Sequence, residues 1–230
     1  MKKFFGDSKY SIILTIGLII IVLVVLGLLG FLGYDIYQKF YVTDTTTKAI
    51  TEFDNKTVEA KPQEDEEDAV DTGDIIDPYA NVDITSTTTS SGTTQRAQLG
   101  GYDILGKIEI PKTSVKYPIL SEVTTKSLKL AVAKLYGPAL NTPGNVVIAG
   151  HNYRNGTFFG RNAQLKNGDK IYITDETGKR VEYVIYNVYT APESDFSYAS
   201  RDTNGAREIS LTTCTDDSKA RTIIWAKENI

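Results

Sequence analysis

The chain has 230 residues, with 25 basic and 29 acidic side chains, a net charge of −4, one cysteine and one histidine. A single cysteine cannot close an internal disulfide and a single histidine cannot share a metal with a second, so a disulfide-stapled scaffold and a multi-histidine metal centre are excluded. The charge balance is mildly acidic and no basic run is interleaved with aromatics, which argues against nucleic acid as a partner.

The first element is apolar. Tyr10 to Tyr34 carry no charge, and Ile12 to Leu32 is almost entirely Ile, Leu, Val, Gly and Phe. As a helix this stretch spans about 31 Å, one bilayer core. No Ala-x-Ala cleavage pattern follows it, so it reads as an uncleaved anchor over 12–33 rather than a signal peptide. Lys2, Lys3 and Lys9 precede it against Asp7 alone. The excess of positive charge keeps residues 1–11 in the cytoplasm and exports the rest as a single-pass membrane protein.

Residues 34–100 read as a stalk. They include the run Glu64-Asp65-Glu66-Glu67-Asp68 and a Ser/Thr/Gly stretch from Ser86 to Thr94. Such sequence buries too little apolar surface to offset its ordering entropy, so the segment is expected to be flexible, with room for a short helix within Phe40 to Lys61. Residues 1–100 hold 8 basic and 15 acidic side chains while 101–230 hold 17 and 14, so the negative charge belongs to the stalk.

Residues 101–230 read as an all-β domain. Strands are expected at Ile104–Ile110, at Val115–Leu120 (an edge, because of Pro118), at Val146–Ala149, at Lys170–Thr174 and at Val181–Tyr189. Two more carry Cys214 and Arg221. One helix is expected over Thr125 to Leu135, where Leu128, Val132 and Leu135 share a face.

The reactive residues stand at strand ends. His151 closes Val146-Val147-Ile148-Ala149-Gly150-His151, Cys214 closes Ile209-Ser210-Leu211-Thr212-Thr213-Cys214, and Arg221 opens the run ending at Trp225. A thiol of ordinary pKa is only about 3% ionised at neutral pH, so a nucleophilic cysteine needs a cation or base beside it. His151 is the only imidazole available and can also protonate a leaving amine. Arg221 can donate two parallel hydrogen bonds to an oxyanion. A hairpin with the loop Thr215 to Ala220 would bring Cys214 and Arg221 together. By spacing alone, a core cysteine, a hydrogen-bonded histidine and a surface arginine account for the pattern equally well.

These segments, in order, resemble the sortase family of Gram-positive bacteria over residues 103–227. Leu211-Thr212-Thr213-Cys214 resembles its T/S-L-x-T-C strand end, and Arg221 follows as the family's arginine does. Asn145 to Asn152 resembles its histidine strand, Ile108-Glu109-Ile110-Pro111 and Tyr117-Pro118-Ile119 its first strands, and Leu165 to Tyr172 the approach to its central hairpin. The resemblance implies an eight-stranded sortase-type β-barrel with one or two short helices. It also implies a cysteine transpeptidase that cleaves a C-terminal sorting signal of a secreted protein after Thr. The acyl group then passes to an amine of a peptidoglycan precursor or a pilin. Cys214 would form the thioester, His151 would act as acid and then base, and Arg221 would hold the carbonyl or oxyanion. Thr213 and Asn152 are candidate substrate-binding residues. No cofactor is implied, and scattered acidic residues without an EF-type loop give no reason to expect a metal. Gly150 to Phe159 resembles the class B pattern, whereas the short segment Ala191 to Arg207 lacks the long class B helix and leaves class D open. A cysteine peptidase using water as acceptor and a noncatalytic anchored surface domain are the rival functions.

Overall fold

The computed structural model describes residues 8–59, 96–153 and 155–230. The acidic and Ser/Thr-rich runs expected to be flexible, and the lysines at positions 2 and 3, lie outside these residues.

Helix α1 (Ser8–Glu59) comes first, followed by strands β1 (Gln98–Leu99), β2 (Tyr102–Ile110) and β3 (Val115–Leu120). The one-turn helix α2 (Ser127–Leu130) precedes β4 (Val132–Tyr136), β5 (Gly144–Ala149), β6 (Lys170–Asp175), β7 (Arg180–Pro192), β8 (Arg207–Cys214) and β9 (Ala220–Glu228). The sheet runs β1-β2-β3-β4-β5-β8-β9-β7-β6, and a further β2–β6 pairing closes β2 through β9 into an eight-stranded barrel. β1 is a two-residue addition on the outside of β2. Inward residues alternate with outward ones, most clearly along β2, where Ile104, Ile108 and Ile110 enter the core and Lys107 and Glu109 do not.

Three expectations change. The helix expected over Thr125–Leu135 is a single turn, and its second half is strand β4. Ala131, Val132 and Ala133 are all fully buried, and β4 pairs parallel to β3 and antiparallel to β5. A strand covered on both faces shows no alternation, so its apolar spacing imitates a helix. β3 is not an edge strand as a whole, because it lies between β2 and β4. Its pairing with β4 begins only at Ile119, however, so Pro118 still sits where no second ladder needs its missing N–H.

The third change concerns the stalk. The helix does not give way to flexible chain at residue 34 but continues to Glu59. Threonine is a weak helix former, yet the threonine-rich stretch stays helical, with Thr43, Thr45, Thr46 and Thr51 hydroxyls donating to carbonyls four residues back. From Asp35 onward one face of α1 lies on the barrel. Val42 packs against the core, Ala49, Ile50 and Phe53 are buried, and Asp54 pairs with Lys107 of β2 at 2.6 Å. Lys56 Nζ donates to the Arg96 carbonyl at 3.3 Å. Both ends of the interval 60–95 are therefore fixed close together, so that interval does not separate the barrel from α1. The buried Ala97 and Leu99 also place packed structure ahead of residue 101, where the domain was expected to begin.

Asn141, in the connection between β4 and β5, ties that connection to the β6–β7 hairpin. Its Nδ2 donates to the carbonyl of Lys179 and the carboxylate of Asp175, both at 2.9 Å, and to the Ile173 carbonyl at 3.2 Å, while its Oδ1 accepts from the Tyr183 hydroxyl at 3.0 Å. Its φ of 57° is a left-handed conformation that asparagine tolerates better than most residues. Asn141→Ala leaves these buried partners unsatisfied and strains the backbone. We expect a loss of about 2–4 kcal/mol in a urea unfolding titration. An unchanged midpoint would show that this network contributes nothing to stability.

Candidate active site

Three adjacent strand ends form the site. β5 and β8 run parallel, with Ala149 opposite Thr212. His151 and Cys214 each lie two residues further along and so stand level with one another. Beyond the paired residues, Gly150 N–H donates to the Thr212 carbonyl at 3.2 Å. β8 and β9 run antiparallel, and Cys214 and Arg221 are their final cross-strand pair. Directly opposed residues point to the same face, so the register alone places the thiol beside the guanidinium. The hairpin loop is closed by Thr215 N–H to the Ala220 carbonyl at 2.9 Å and by the Thr215 hydroxyl to Asp217 at 2.6 Å.

The guanidinium is shared. Arg221 donates through Nη1 to Cys214 Sγ and through Nη2 to Glu193 Oε1 at 2.8 Å. Glu193 follows the end of β7, which pairs with β9 through Ala191 and Arg221. The carboxylate thus orients one prong of the fork while the other meets sulfur. Cys214 is a free, partly accessible thiol.

His151 is held by aromatic packing. Its ring lies 5.1 Å from that of Tyr153, which lies 5.7 Å from fully buried Phe158, which in turn meets Tyr117 edge-on at 5.1 Å. Its carbonyl accepts from Phe159 N–H at 3.0 Å. Gly150 just before it allows close packing, because a Cβ there would stand 2.7 Å from Phe159 Cδ2 and 2.9 Å from Val132 Cγ1. Burial, and secondarily the charge of Lys129 in α2, hold the imidazole pKa below its ordinary value.

The two tentative residues separate. Asn152 is at the site: its Nδ2 donates to the Cys214 carbonyl and to Asp216, both at 2.9 Å, clipping the segment after His151 to the end of the cysteine strand. Thr213 is buried on the alternate face of β8, with its hydroxyl unpartnered, and is not brought together with Cys214.

The segment 193–206 between β7 and β8 is pinned by residues the sequence reading missed. Asn145 Nδ2 donates to the Tyr198 and Ala199 carbonyls at 2.9 and 3.0 Å. Its Oδ1 accepts from Ser210 at 2.9 Å and Arg201 at 3.1 Å. Arg201 also pairs with Glu208, which accepts from the Tyr186 hydroxyl at 2.7 Å, and it stacks over Trp225 at 4.6 Å. The available signal was an asparagine and a serine standing inside two apolar strand runs, positions that demand buried partners. Among the described residues no group of three or more His, Cys, Asp or Glu is placed to hold a metal.

A rigid barrel that presents a free thiol, an imidazole and a guanidinium at neighbouring strand ends is the arrangement that acyl transfer through a thioester requires. The comparison with known proteins agrees with the architecture: the model of the Sortase domain matches residues 108–229, and the chain belongs to the sortase family. It is 33% identical over 127 residues to Sortase A of Bacillus anthracis, covering 54% of this chain and 59% of that one. It is 30% identical over 112 residues to Sortase A of Listeria monocytogenes, covering 48% and 49%. The chain thus spans only about half to three-fifths of these relatives' length. Among solved structures it is similar to Sortase A from Corynebacterium diphtheriae, with a TM-score of 0.53 at 28% identity over 60% of this chain and 64% of that one. The Clostridium perfringens Sortase D5 transpeptidase gives 0.51 at 28% identity over 56% and 80%.

The lone histidine makes its titration directly readable by NMR. The His151 pKa should lie below about 6.5. Lys129→Gln removes the secondary cause and should move it upward, leaving the part due to burial. The sign for stability follows from proton uptake. Between the ordinary and the lowered pKa the unfolded chain binds more protons, so stability falls as pH drops through that window and levels off below it. A titration at or above the ordinary value would contradict the desolvated placement of the ring.

Proposed function

We propose that the protein is a membrane-anchored cysteine transpeptidase, with Cys214 as nucleophile, His151 as general acid and base, and Arg221 as the oxyanion donor. The observation that carries this reading is the Cys214–Arg221 cross-strand pair with His151 level on the next strand. Cys214 attacks the carbonyl carbon of the Thr in a C-terminal sorting signal of a secreted protein. His151 gives its proton to the departing amine, leaving a thioester on Sγ. An amine of a peptidoglycan precursor or pilin then attacks, His151 takes its proton, and the new amide leaves with the thiolate restored. Arg221 moves its inner prong from sulfur to the carbonyl oxygen as negative charge develops there, while Glu193 keeps the guanidinium plane in place.

The electrostatics favour a minority active form. The lowered His151 pKa keeps most imidazoles neutral near neutral pH, whereas the departing amine needs the protonated ring. The rate should therefore fall as pH rises past the lowered imidazole pKa, where the protonated ring is lost. Asn152 serves the cysteine strand end, and Thr213 contributes packing rather than a substrate contact. The segment between β7 and β8 forms turns without a helix, which favours class D over class B.

The exposed apolar surface of α1 supports the anchor. Ile12 to Leu32 present large side chains that nothing among the described residues covers. A bilayer is the environment that removes such a surface from water. The lysine excess before it supports a cytoplasmic N-terminus with the barrel outside.

The test is a thioester trap. The protein is incubated with a library of five-residue sorting peptides, with and without an added amine, and its mass is measured. The wild type should carry an acyl adduct on Cys214 that the amine discharges as a ligated product. Cys214→Ala should show neither adduct nor cleavage. Arg221→Lys keeps the charge but loses the planar fork, and should lower kcat/KM by about 10²–10³ with little change in Tm. Cleavage by Cys214→Ala would overturn the mechanism, and adducts that discharge only to water would leave a peptidase in its place.

A further inference from the structure

The apolar span of α1 and the barrel are joined without a flexible joint. The face of α1 that lies on the barrel begins at Asp35, about 5 Å along the helix from Leu32, the last residue of the apolar span. At that level Asn155 Nδ2 donates to Asp35 Oδ1 at 3.2 Å. Asn155 stands four residues past His151, in the same segment that Asn152 clips to the Cys214 carbonyl. Three residues of chain reach about 10 Å, so with the two side chains included the Cys214 carbonyl lies no more than about 25 Å from the Asp35 carboxylate. At the other end of the docked face, Lys56 meets Arg96, and Arg96 pairs with Glu176 in the β6–β7 hairpin at 2.7 Å. Asp35 and Lys56 are separated by about 31 Å of helix.

A second feature marks the same level. Tyr34, Tyr37, Phe40 and Tyr41 are all more than half exposed on α1, immediately beyond the apolar span. Tyrosines gather at the headgroup level of a membrane, where the ring is buried and the hydroxyl is wet. Tyr153, packed on the His151 ring, is exposed on the barrel side of this level.

We propose that Tyr153 and Asn155, in the loop following His151, rest in the phospholipid headgroup layer beside the exit of α1, so that the end of the barrel bearing the thiol faces the bilayer at a fixed height and the β6–β7 hairpin points away from it. This rests on α1 being the membrane anchor. The partner surface is the membrane that α1 itself crosses. The headgroup layer extends about 5–8 Å beyond the hydrocarbon on each side, which matches the height of the Asp35–Asn155 contact. A substrate or acceptor held in the same membrane then meets the site without leaving the surface.

The test uses the full chain in phosphatidylcholine vesicles containing a headgroup-nitroxide lipid. Cys214→Ala removes the only thiol, and single cysteines are introduced as Asn155→Cys, Tyr153→Cys or Lys179→Cys and labelled with a fluorophore. Tyr153→Cys preserves the Asn155–Asp35 bond and guards against an effect of losing it. Labels at 155 and 153 should be quenched several-fold more strongly than the label in the hairpin at 179. Inserting seven helical residues between Tyr34 and Asp35 keeps the docked face but lifts the barrel by about 10 Å, and should remove most of that difference. Equal quenching at all three positions, in protein that stays on the vesicles through an alkaline carbonate wash, would overturn the proposal while leaving the anchor intact. Protein released by the wash would overturn the anchor and this proposal together.

Discussion

The site depends on strand register around β8. β8 is paired in parallel with β5 on one side and antiparallel with β9 on the other. The parallel ladder sets His151 level with Cys214, and the antiparallel ladder sets Arg221 opposite it. A slip of one residue in either ladder would turn the partner's side chain to the other face of the wall. Such a slip would also turn Ile209 and Leu211 out of the core, so the hydrophobic interior enforces the chemical alignment. The reactive groups need no dedicated scaffold of their own, because packing of the residues beneath them already determines where they point.

On that frame the polar groups set charge. The two sides of the thiol differ: on one, Arg221 is permanently charged and divided between sulfur and Glu193; on the other, the imidazole is desolvated against Tyr153 and disfavoured further by Lys129. If His151 is the acid of the reaction, its weak basicity lets it give up its proton readily to a departing amine. Removing the burial of His151 would make protonation easier but would weaken its drive to release the proton. In that role the placement is a compromise between taking up a proton and releasing it. Pinning of the segment 193–206 through Asn145, Arg201 and Glu208 matters for the same reason, since that segment carries Glu193 and hence the orientation of Arg221.

Most of the strand pattern, the free thiol, and the positions of His151, Cys214 and Arg221 at strand ends were legible from the sequence. Alternation in β2 and the turn residues before β5 and between β6 and β7 are local signals, and they were read correctly. β4 was misread because burial on both faces erases alternation. The docking of α1 was invisible for another reason. Its contacts with β2, with Asn155 and with Arg96 join residues 40 to 120 positions apart, and no local propensity reports them. Asn152 was picked out as a rim residue, but only the fold shows that it holds the cysteine strand end. Glu193 and Arg201 gave no signal, since exposed-looking charges in a turn-rich segment read the same whether paired or solvated.

The route of the chain from α1 to the barrel changes what the anchor can do. A flexible connector of some 65 residues would let the site wander over a distance of roughly 45 Å. Here the residues flanking the interval 60–95 are held together by the Lys56–Arg96 contact, and α1 lies directly on the barrel. Whatever that acidic interval does, it does not set the reach of the enzyme. Reach is set instead by the length of α1 between its apolar span and its first contact with the barrel, which is close to one helical turn. With the apolar span in a membrane, so short and stiff a connection restricts the thiol to a narrow range of heights. Encounter with any partner held in the same membrane then becomes a search within a surface rather than through a volume.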